Sequence, residues 1–237
     1  MNHIKSILKV SEQGVSRPYL CSDESGGIRW CKGCHTGFRA IVCEWICARL
    51  ADALGLPVPK FEIMRLDVSV FHQWRMLQNG NVPEIVTDFN PYVFASLNVE
   101  NSKDVFDAKS ELSHVDTKLL AKIFWFDLLV RNTDRTDFNS NLLANGSVYI
   151  IDHNNAFDPN FSVSGFMSEH ILRECRDALS VTEQENFRKS VVELANGSFL
   201  DEVWGEMPEE WTDAVEEILP LPRVKAVLQE GCDVGIT

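Results

Sequence analysis

Asn132-Thr133-Asp134-Arg135-Thr136-Asp137-Phe138-Asn139-Ser140-Asn141-Leu142-Leu143 is the stretch that decides the fold, together with Val148-Tyr149-Ile150-Ile151-Asp152-His153 behind it. A two-residue turn, Asn145-Gly146, separates the two apolar runs, which is typical of a β-hairpin. The hairpin places Asp134 and Asn139 on the loop before its first strand and Asp152 at the end of its second strand. We therefore expect two carboxylates and one amide to converge on one small volume.

Two carboxylates and an amide at this spacing suit phosphoryl transfer. A loop aspartate orients an attacking hydroxyl or takes its proton, which makes Asp134 the candidate catalytic residue. Asn139 and Asp152 are the candidate Mg²⁺ ligands, because this ion prefers a few protein oxygens completed by water and phosphate. Protein kinases use the same order, Asp-x-x-x-x-Asn, then a hairpin and a metal-binding Asp. The alternative is a polar turn that caps the preceding helix, with Asp152 only ending a strand.

Composition and charge exclude several classes of protein. A chain of 237 residues buries a sizeable core, as one domain or as two lobes of one unit. The net charge of −13 argues against direct nucleic-acid binding, because phosphate backbones need a basic face. The first ten residues lack a secretory apolar core and no window approaches a membrane span, which predicts a cytoplasmic protein without a membrane partner. Its seven cysteines are then expected to be reduced thiols.

The N-terminal segment predicts three strands, Ile4 to Val10, Tyr19 to Ser22 and Ile28 to Lys32. Two strands around a turn, followed by a strand with a lysine, are similar to a hairpin that covers a nucleotide. We assign Ser16, in the first turn, and Lys32 to the cofactor site, with Lys32 pairing the phosphates in catalysis. The alternative for Lys32 is a solvated residue at a strand end. The turn is a thin version of a glycine-rich loop, since Gly14 is its one glycine.

A strong helical pattern runs from Phe38 to Leu54 and stops at Gly55. Glu44 lies in the middle of this helix, where an acid is able to reach Lys32 and hold it against the phosphates. We therefore count Glu44 among the cofactor-binding residues. The alternative is a surface acid that pairs with a base on its own helix.

Four cysteines near this helix allow two further interpretations. Cys31-Lys32-Gly33-Cys34-His35 matches the haem-attachment pattern Cys-x-x-Cys-His, which requires an exported chain. A zinc site is the second interpretation, because Cys43 and Cys47 are one helical turn apart and join Cys31 and Cys34. No second Cys-x-x-Cys is present, however, and helical cysteines often only pack in a core.

The remaining pattern predicts an α+β, bilobal fold with a small antiparallel sheet and one helix in the first lobe. Residues 1–98 form that lobe, and the strand from Tyr92 to Val99 carries a hinge near residues 94–98, where the backbone around Phe94 and Ser96 is expected to hydrogen-bond to adenine. The second lobe, 99–237, is helical and holds the catalytic loop 132–141. Its first helix is predicted from Ser113 to Arg131, with Ser113 and Asp116 as its cap. A later helix is predicted from Ser168 to Ala178.

Several segments resemble the stand-alone HipA-like kinases, from about Ser16 to the C-terminal helices. They are Ser16-Arg17-Pro18-Tyr19-Leu20, Lys32-Gly33, the run from Cys43 to Pro59, the run from Phe126 to Thr136, Asn139-Ser140-Asn141-Leu142-Leu143 and Ile151-Asp152-His153. HipA is the toxin kinase of bacterial toxin–antitoxin pairs, and its bilobal fold is distantly related to protein kinases. The resemblance implies an ATP- and Mg²⁺-dependent phosphotransferase with Asp134 as catalytic residue, Asn139 and Asp152 as metal ligands and Lys32 as phosphate lysine.

The acceptor of the phosphate is left open by these residues. A serine or threonine of a protein is the leading expectation, with an antitoxin-like partner implied by the resemblance. The alternatives are a small-molecule or lipid kinase on the same fold and a pseudokinase that binds nucleotide or a partner without transfer.

Overall fold

The computed structural model describes residues 1–12, 16–78, 89–104 and 112–231. A five-stranded antiparallel sheet with two helices comes first along the chain, and a mainly helical part with a three-stranded sheet follows. This architecture confirms the predicted α+β, bilobal class. The helix α2 adds a second helix to the first lobe, and the lobe boundary near residue 98 stays a prediction.

The described strands are β1 (Ile4–Val10), β2 (Tyr19–Asp23), β3 (Ile28–Lys32), β4 (Phe61–Arg65), β5 (Tyr92–Leu97), β6 (Lys103–Asp104), β7 (Leu142–Ala144) and β8 (Val148–Ile150). The described helices are α1 (Phe38–Ala53), α2 (Val68–Leu77), α3 (Thr117–Leu129), α4 (Val163–Glu169), α5 (Val181–Asn196), α6 (Phe199–Gly205), α7 (Glu209–Val215) and α8 (Leu221–Glu230). Short 3₁₀ helices lie at Cys34–Thr36 and Arg173–Ala178. None of these helices is long and apolar enough to span a membrane.

The first sheet has the strand order β1-β2-β3-β5-β4. Strand β3 is its centre and pairs with β2 on one side and β5 on the other. In the β3–β5 ladder Lys32 lies opposite Phe94. The candidate phosphate lysine and the predicted hinge are therefore neighbours by strand register.

Helix α1 lies between this sheet and the C-terminal helices. Every residue from Ile41 to Ala48 is buried, so the helix is enclosed on all sides. The indole N–H of Trp45 donates to the carbonyl of Val203 in α6 over 3.1 Å. The helix ends one residue before the predicted end, and Gly55 follows at φ 69°, a left-handed backbone that glycine adopts without strain. This enclosed helix carries Glu44 toward β3.

Helix α3 leads into the predicted catalytic loop, residues 132–141. It begins at Thr117, four residues after the predicted start, because the carboxylate of Asp116 accepts the backbone N–H of Lys118 and caps the helix there. Ser113 belongs to a preceding 3₁₀ turn and not to the cap of α3. The helix is buried along most of its length and ends at Leu129, two residues before the predicted end at Arg131, with Val130 as its C-cap. The loop that follows is thus attached to a rigid support.

Three local predictions are corrected by the structure. The turn between β7 and β8 has three residues, 145–147, because β8 begins only at Val148. Asp152 is two residues beyond β8, with φ 60°, and is not the last residue of the strand. The predicted helix from Ser168 to Ala178 is broken at His170, because the chain there forms a β-bridge with Thr136 of the catalytic loop. That tertiary contact outweighs the local helical pattern.

A matched pair of tryptophan substitutions tests the core between α1 and the C-terminal helices. Trp45→Phe removes the donor to Val203, whereas the buried indole N–H of Trp211 has no acceptor in the described part of the chain. We expect Trp45→Phe to lower the free energy of unfolding by about 1 kcal/mol more than Trp211→Phe. Urea unfolding followed by circular dichroism measures both, and equal losses would contradict the assigned hydrogen bond.

Candidate active site

A cavity of about 550 Å³ lies between the first sheet and the β7–β8 hairpin. This volume is in the range of small-molecule and cofactor sites. Its lining includes all the residues that the sequence assigned to cofactor or metal: Ser16, Lys32, Glu44, Phe94, Ser96, Asn139 and Asp152. Gly14 of the predicted phosphate turn lies outside the described residues. The structure therefore brings the predicted binding residues together around one space.

Lys32 is held between two carboxylates at the wall of this cavity. Its ammonium donates to Oε1 of Glu44 and, over 2.6 Å, to Oδ1 of Asp152. Lys32 and Glu44 are both buried, which excludes the solvated lysine and the surface acid as alternatives. The backbone N–H of His153 donates to the other oxygen of Glu44 over 3.2 Å. Strand β3, helix α1 and the segment after β8 thus meet at one ion cluster.

The electrostatics of the cluster favour a charged lysine. Burial alone would lower the pKa of Lys32, but the carboxylates of Glu44 and Asp152 outweigh it and raise the pKa. Burial also opposes ionisation of Asp152, yet the neighbouring Lys32 ammonium holds its pKa below the usual value. Burial raises the pKa of Glu44. A fixed positive charge at the wall of the cavity is suited to bind the phosphates of a nucleotide.

Asp134 lies on the loop after α3 and is half-buried. It is not among the residues that line the cavity, but Asn141 connects it to them. The amide nitrogen of Asn141 donates to the backbone carbonyl of Asp134 over 3.3 Å and to its Oδ2 over 3.4 Å. The Asn132 side chain accepts the backbone N–H of Asp134 at 3.4 Å. Asn141 therefore contacts the candidate catalytic carboxylate, while Asn132 holds the backbone of the same residue.

Two asparagines of the loop line the cavity, and they differ in setting. Asn139 is exposed and forms a small bridge with Thr136 through two backbone hydrogen bonds. Asn141 is buried, with φ 47°, and its amide nitrogen is used by Asp134. Its amide oxygen accepts no hydrogen bond from any described residue and is thus available to a cation. The repeat Asn-Ser-Asn before the strand was the sequence signal that could have indicated Asn141.

A second, fully buried ion pair holds the loop that carries Asp134 against helix α3. Asp127 of α3 and Arg135 of the loop are both completely enclosed, with Nε of Arg135 at 2.6 Å from Oδ2 of Asp127. Arg135 also donates to the backbone carbonyls of Ser140 and Asn141. The guanidinium therefore fixes both ends of the loop that carries Asp134.

Two buried histidines complete this network. The backbone N–H of Leu172 donates to Nδ1 of His170, so Nε2 carries the proton and donates to Asp127 over 3.1 Å. His153 accepts from Nη2 of Arg135 at 3.0 Å. Burial lowers the pKa of His170, which keeps it neutral. Burial opposes ionisation of Asp127, but the Arg135 guanidinium and the hydrogen bond from His170 hold its pKa well below the usual value.

The cysteine interpretations find no support in the structure. Cys31, Cys43 and Cys47 are buried and reduced, and burial raises the pKa of the Cys43 thiol to about 12. Among the described residues, no group of three or more His, Cys, Asp or Glu side chains is placed to hold a metal ion. The buried position of Cys31 in β3 also gives a haem no access to its sulfur. These thiols pack in the core.

Comparisons with known proteins give a family and two similar structures. A family model described as HipA-like kinase matches residues 4–231. No curated protein matches the chain. The crystal structure of a Helicobacter pylori proinflammatory kinase, CtkA, is 13% identical with a TM-score of 0.48, over 99% of this chain and 94% of that one. The crystal structure of the Golgi casein kinase is 10% identical with a TM-score of 0.49, over 98% of this chain and 71% of that one.

The substitution Asp127→Asn tests the buried ion pair. It keeps the size of the side chain but leaves the Arg135 charge buried without its counter-ion, so we expect the free energy of unfolding to fall by about 3 kcal/mol. The control is Asp201→Asn, which breaks an exposed pair with Lys225 and should cost less than about 1 kcal/mol. Urea denaturation measures both variants. Similar small losses would show that the buried pair does not support the loop.

Proposed function

We propose a function on the premise that this chain belongs to the HipA-like kinase family. It is a kinase, and we infer that it uses ATP and Mg²⁺ to phosphorylate a serine or threonine hydroxyl of a protein. The observation that carries this inference is the Lys32–Asp152 ion pair at the wall of a nucleotide-sized cavity. It joins a phosphate-binding cation to a metal-binding carboxylate, as phosphoryl transfer requires.

The lining of the cavity suits both parts of a nucleotide. It includes apolar residues that suit a planar base, among them Ala48, Val58, Phe94 and Ile150. At Phe94 and Ser96, β5 is paired with β3 on one side and with β4 on the other, so these residues would contact adenine through their side chains and not through the backbone as the hinge prediction had it. Lys32 and Ser16 line the same cavity and would contact the phosphates. Because Lys32 lies opposite Phe94 in the sheet, base and phosphate contacts are set by one strand pair.

The oxygen atoms near Lys32 fit Mg²⁺. Asp152 provides a carboxylate with a lowered pKa, and the amides of Asn139 and Asn141 line the same cavity. A few hard oxygen donors are what this ion takes from a protein. When bound, it neutralises charge on the phosphates that are being transferred. The sequence spacing predicts Asn139 as the second Mg²⁺ ligand. Asn141 is the alternative ligand, because it also contacts Asp134.

The residues of the site then have different roles in phosphate transfer. Asp134 orients the acceptor hydroxyl or takes its proton, and Asn141 and Asn132 hold its carboxylate and backbone in place. Glu44 keeps Lys32 directed at the cavity. The buried Arg135 fixes the loop, so the catalytic carboxylate loses little entropy when substrate binds. A protein acceptor, an antitoxin-like partner and a cytoplasmic location remain expectations from the family resemblance.

The substitution Asp134→Asn tests the catalytic assignment. We expect ATP affinity to change little, because Asp134 does not line the cavity, and phosphate transfer to fall by about 10²–10⁴-fold. Titration calorimetry measures binding, and transfer of labelled γ-phosphate with phosphoamino-acid analysis measures the reaction and its acceptor. Asp137→Asn is the matched control, since Asp137 is on the same loop but pairs with Arg173 at 2.8 Å. Undiminished transfer in Asp134→Asn would refute the assignment.

A pair of alanine substitutions decides between the two asparagines. We expect Asn141→Ala to raise the Mg²⁺ concentration for half-maximal activity by about tenfold or more, because it removes a ligand and the partner of Asp134. Asn139→Ala should raise it less, since Asn139 is exposed and its backbone makes the bridge to Thr136. Magnesium titrations at saturating ATP measure both. A larger increase for Asn139→Ala than for Asn141→Ala would identify Asn139 as the metal ligand, as the sequence spacing predicts.

A further inference from the structure

A second cavity, of about 140 Å³, lies beside the catalytic loop. It shares no lining residue with the nucleotide cavity. Thr133 and Arg135 line it, and these are the two neighbours of Asp134 in the chain. The rest of its lining comes from the segment around α4: Asn160, Ser162, Gly165, Phe166, Glu169 and His170. Both chain neighbours of Asp134 therefore line this smaller cavity, whereas its side-chain partner Asn141 lines the larger one.

The floor of the second cavity is rigid and its polar groups are already engaged. Arg135 and His170 both bind Asp127 and are almost completely buried. The Phe166 ring packs on the His170 ring with centroids 4.7 Å apart. The hydroxyl of Thr133 donates to Asp158 over 3.2 Å. None of these groups is free to change partner when a ligand enters, so they define its shape more than its charge.

Glu169 differs from the other residues of the lining. It is exposed at the end of α4, and its carboxylate has no hydrogen-bond or ion-pair partner in the described chain. The nearest cation in sequence, Arg173, is already paired with Asp137 at 2.8 Å and donates to the His170 carbonyl over 3.0 Å. The cavity thus carries one uncompensated negative charge, on a protein whose net charge is −13.

We propose that this cavity receives a lysine or arginine side chain of the protein substrate, close in sequence to the phosphorylated residue, and that Glu169 pairs with it. The proposal rests on the function proposed above. A volume of about 140 Å³ equals the space of four or five water molecules at about 30 Å³ each, which suits one extended side chain and no larger ligand. The net charge of −13 also attracts basic segments to the protein as a whole.

The position of the cavity limits where the basic residue stands in the substrate. Thr133 and Arg135 are each one residue from Asp134, and consecutive Cα atoms are about 3.8 Å apart. A hydroxyl held at Asp134 therefore leaves the second cavity within reach of a side chain only a few residues away. We expect the preference at one or two positions next to the acceptor and not along a long stretch.

Short peptides test this preference in two ways. In the first series each peptide has a central serine, and arginine, alanine or glutamate is placed at every flanking position in turn. We expect wild-type protein to transfer phosphate to the arginine peptide about fivefold faster than to the alanine peptide at one or two positions, the upper range for a partly exposed ion pair. Glu169→Gln should reduce this ratio to about one, and Glu169→Lys should reverse it toward glutamate.

The second series measures peptide binding to the cavity separately from phosphate transfer. The same peptides with a central alanine accept no phosphate, and their binding is followed by fluorescence anisotropy. Glu174→Gln is the matched control, because Glu174 is close in the chain, is 90% exposed and does not line the cavity. It should leave both preferences as in the wild type, and circular dichroism checks that each variant is folded.

The outcomes are distinct. Arginine selection that depends on Glu169 in both series supports the proposal. Glu169-dependent binding without phosphate transfer to any peptide supports the cavity and overturns the protein-kinase function. A preference that survives Glu169→Lys, or no arginine preference in either series, overturns the proposal, whatever the transfer rate is.

Discussion

The buried ion pair between Asp127 and Arg135 is the constraint on which the proposed active site depends. Removing two charges from water costs several kcal/mol per ion, so such a pair persists only when further hydrogen bonds complete both groups. Here the guanidinium makes five contacts, to both Asp127 oxygens, two loop carbonyls and the His153 ring. The ion pair fixes the position of the loop, because α3 and both ends of the predicted catalytic loop are bound to one rigid planar guanidinium.

His153 joins this pair to the ion cluster at the wall of the larger cavity. Its ring accepts from Arg135, and its backbone N–H donates to Glu44, which binds Lys32. Lys32 in turn binds Asp152, the residue before His153. A continuous chain of polar contacts therefore runs from α3 through the loop to α1 and β3. Such a network has no spare partner, so the loss of one member leaves the others buried and unsatisfied.

Sequence reasoning reached the parts of the site that are local in the chain. The spacing of Asp134, Asn139 and Asp152 and the helical pattern around Glu44 are visible within short windows, and periodicity placed the strands and helices. The support of Asp127 by Arg135, His153 and His170 spans elements that only meet after folding. The one local signal for this network was an acidic residue, Asp127, within the apolar helix α3. The break at His170 was missed for the same reason, since its cause is a bridge to Thr136.

The antiparallel hairpin explains why the two proposed metal-binding groups meet. Leu142 lies opposite Ile150, so the residue before β7 and the residues after β8 leave the hairpin at the same end. The backbone N–H of Ile151 donates to the carbonyl of Asn141 over 3.1 Å. Asn141 and Asp152 both have positive φ, which Asn and Asp tolerate better than other residues with side chains. Asn139 is two residues further from this end, so hairpin geometry favours Asn141 as the partner of Asp152 around a shared cation.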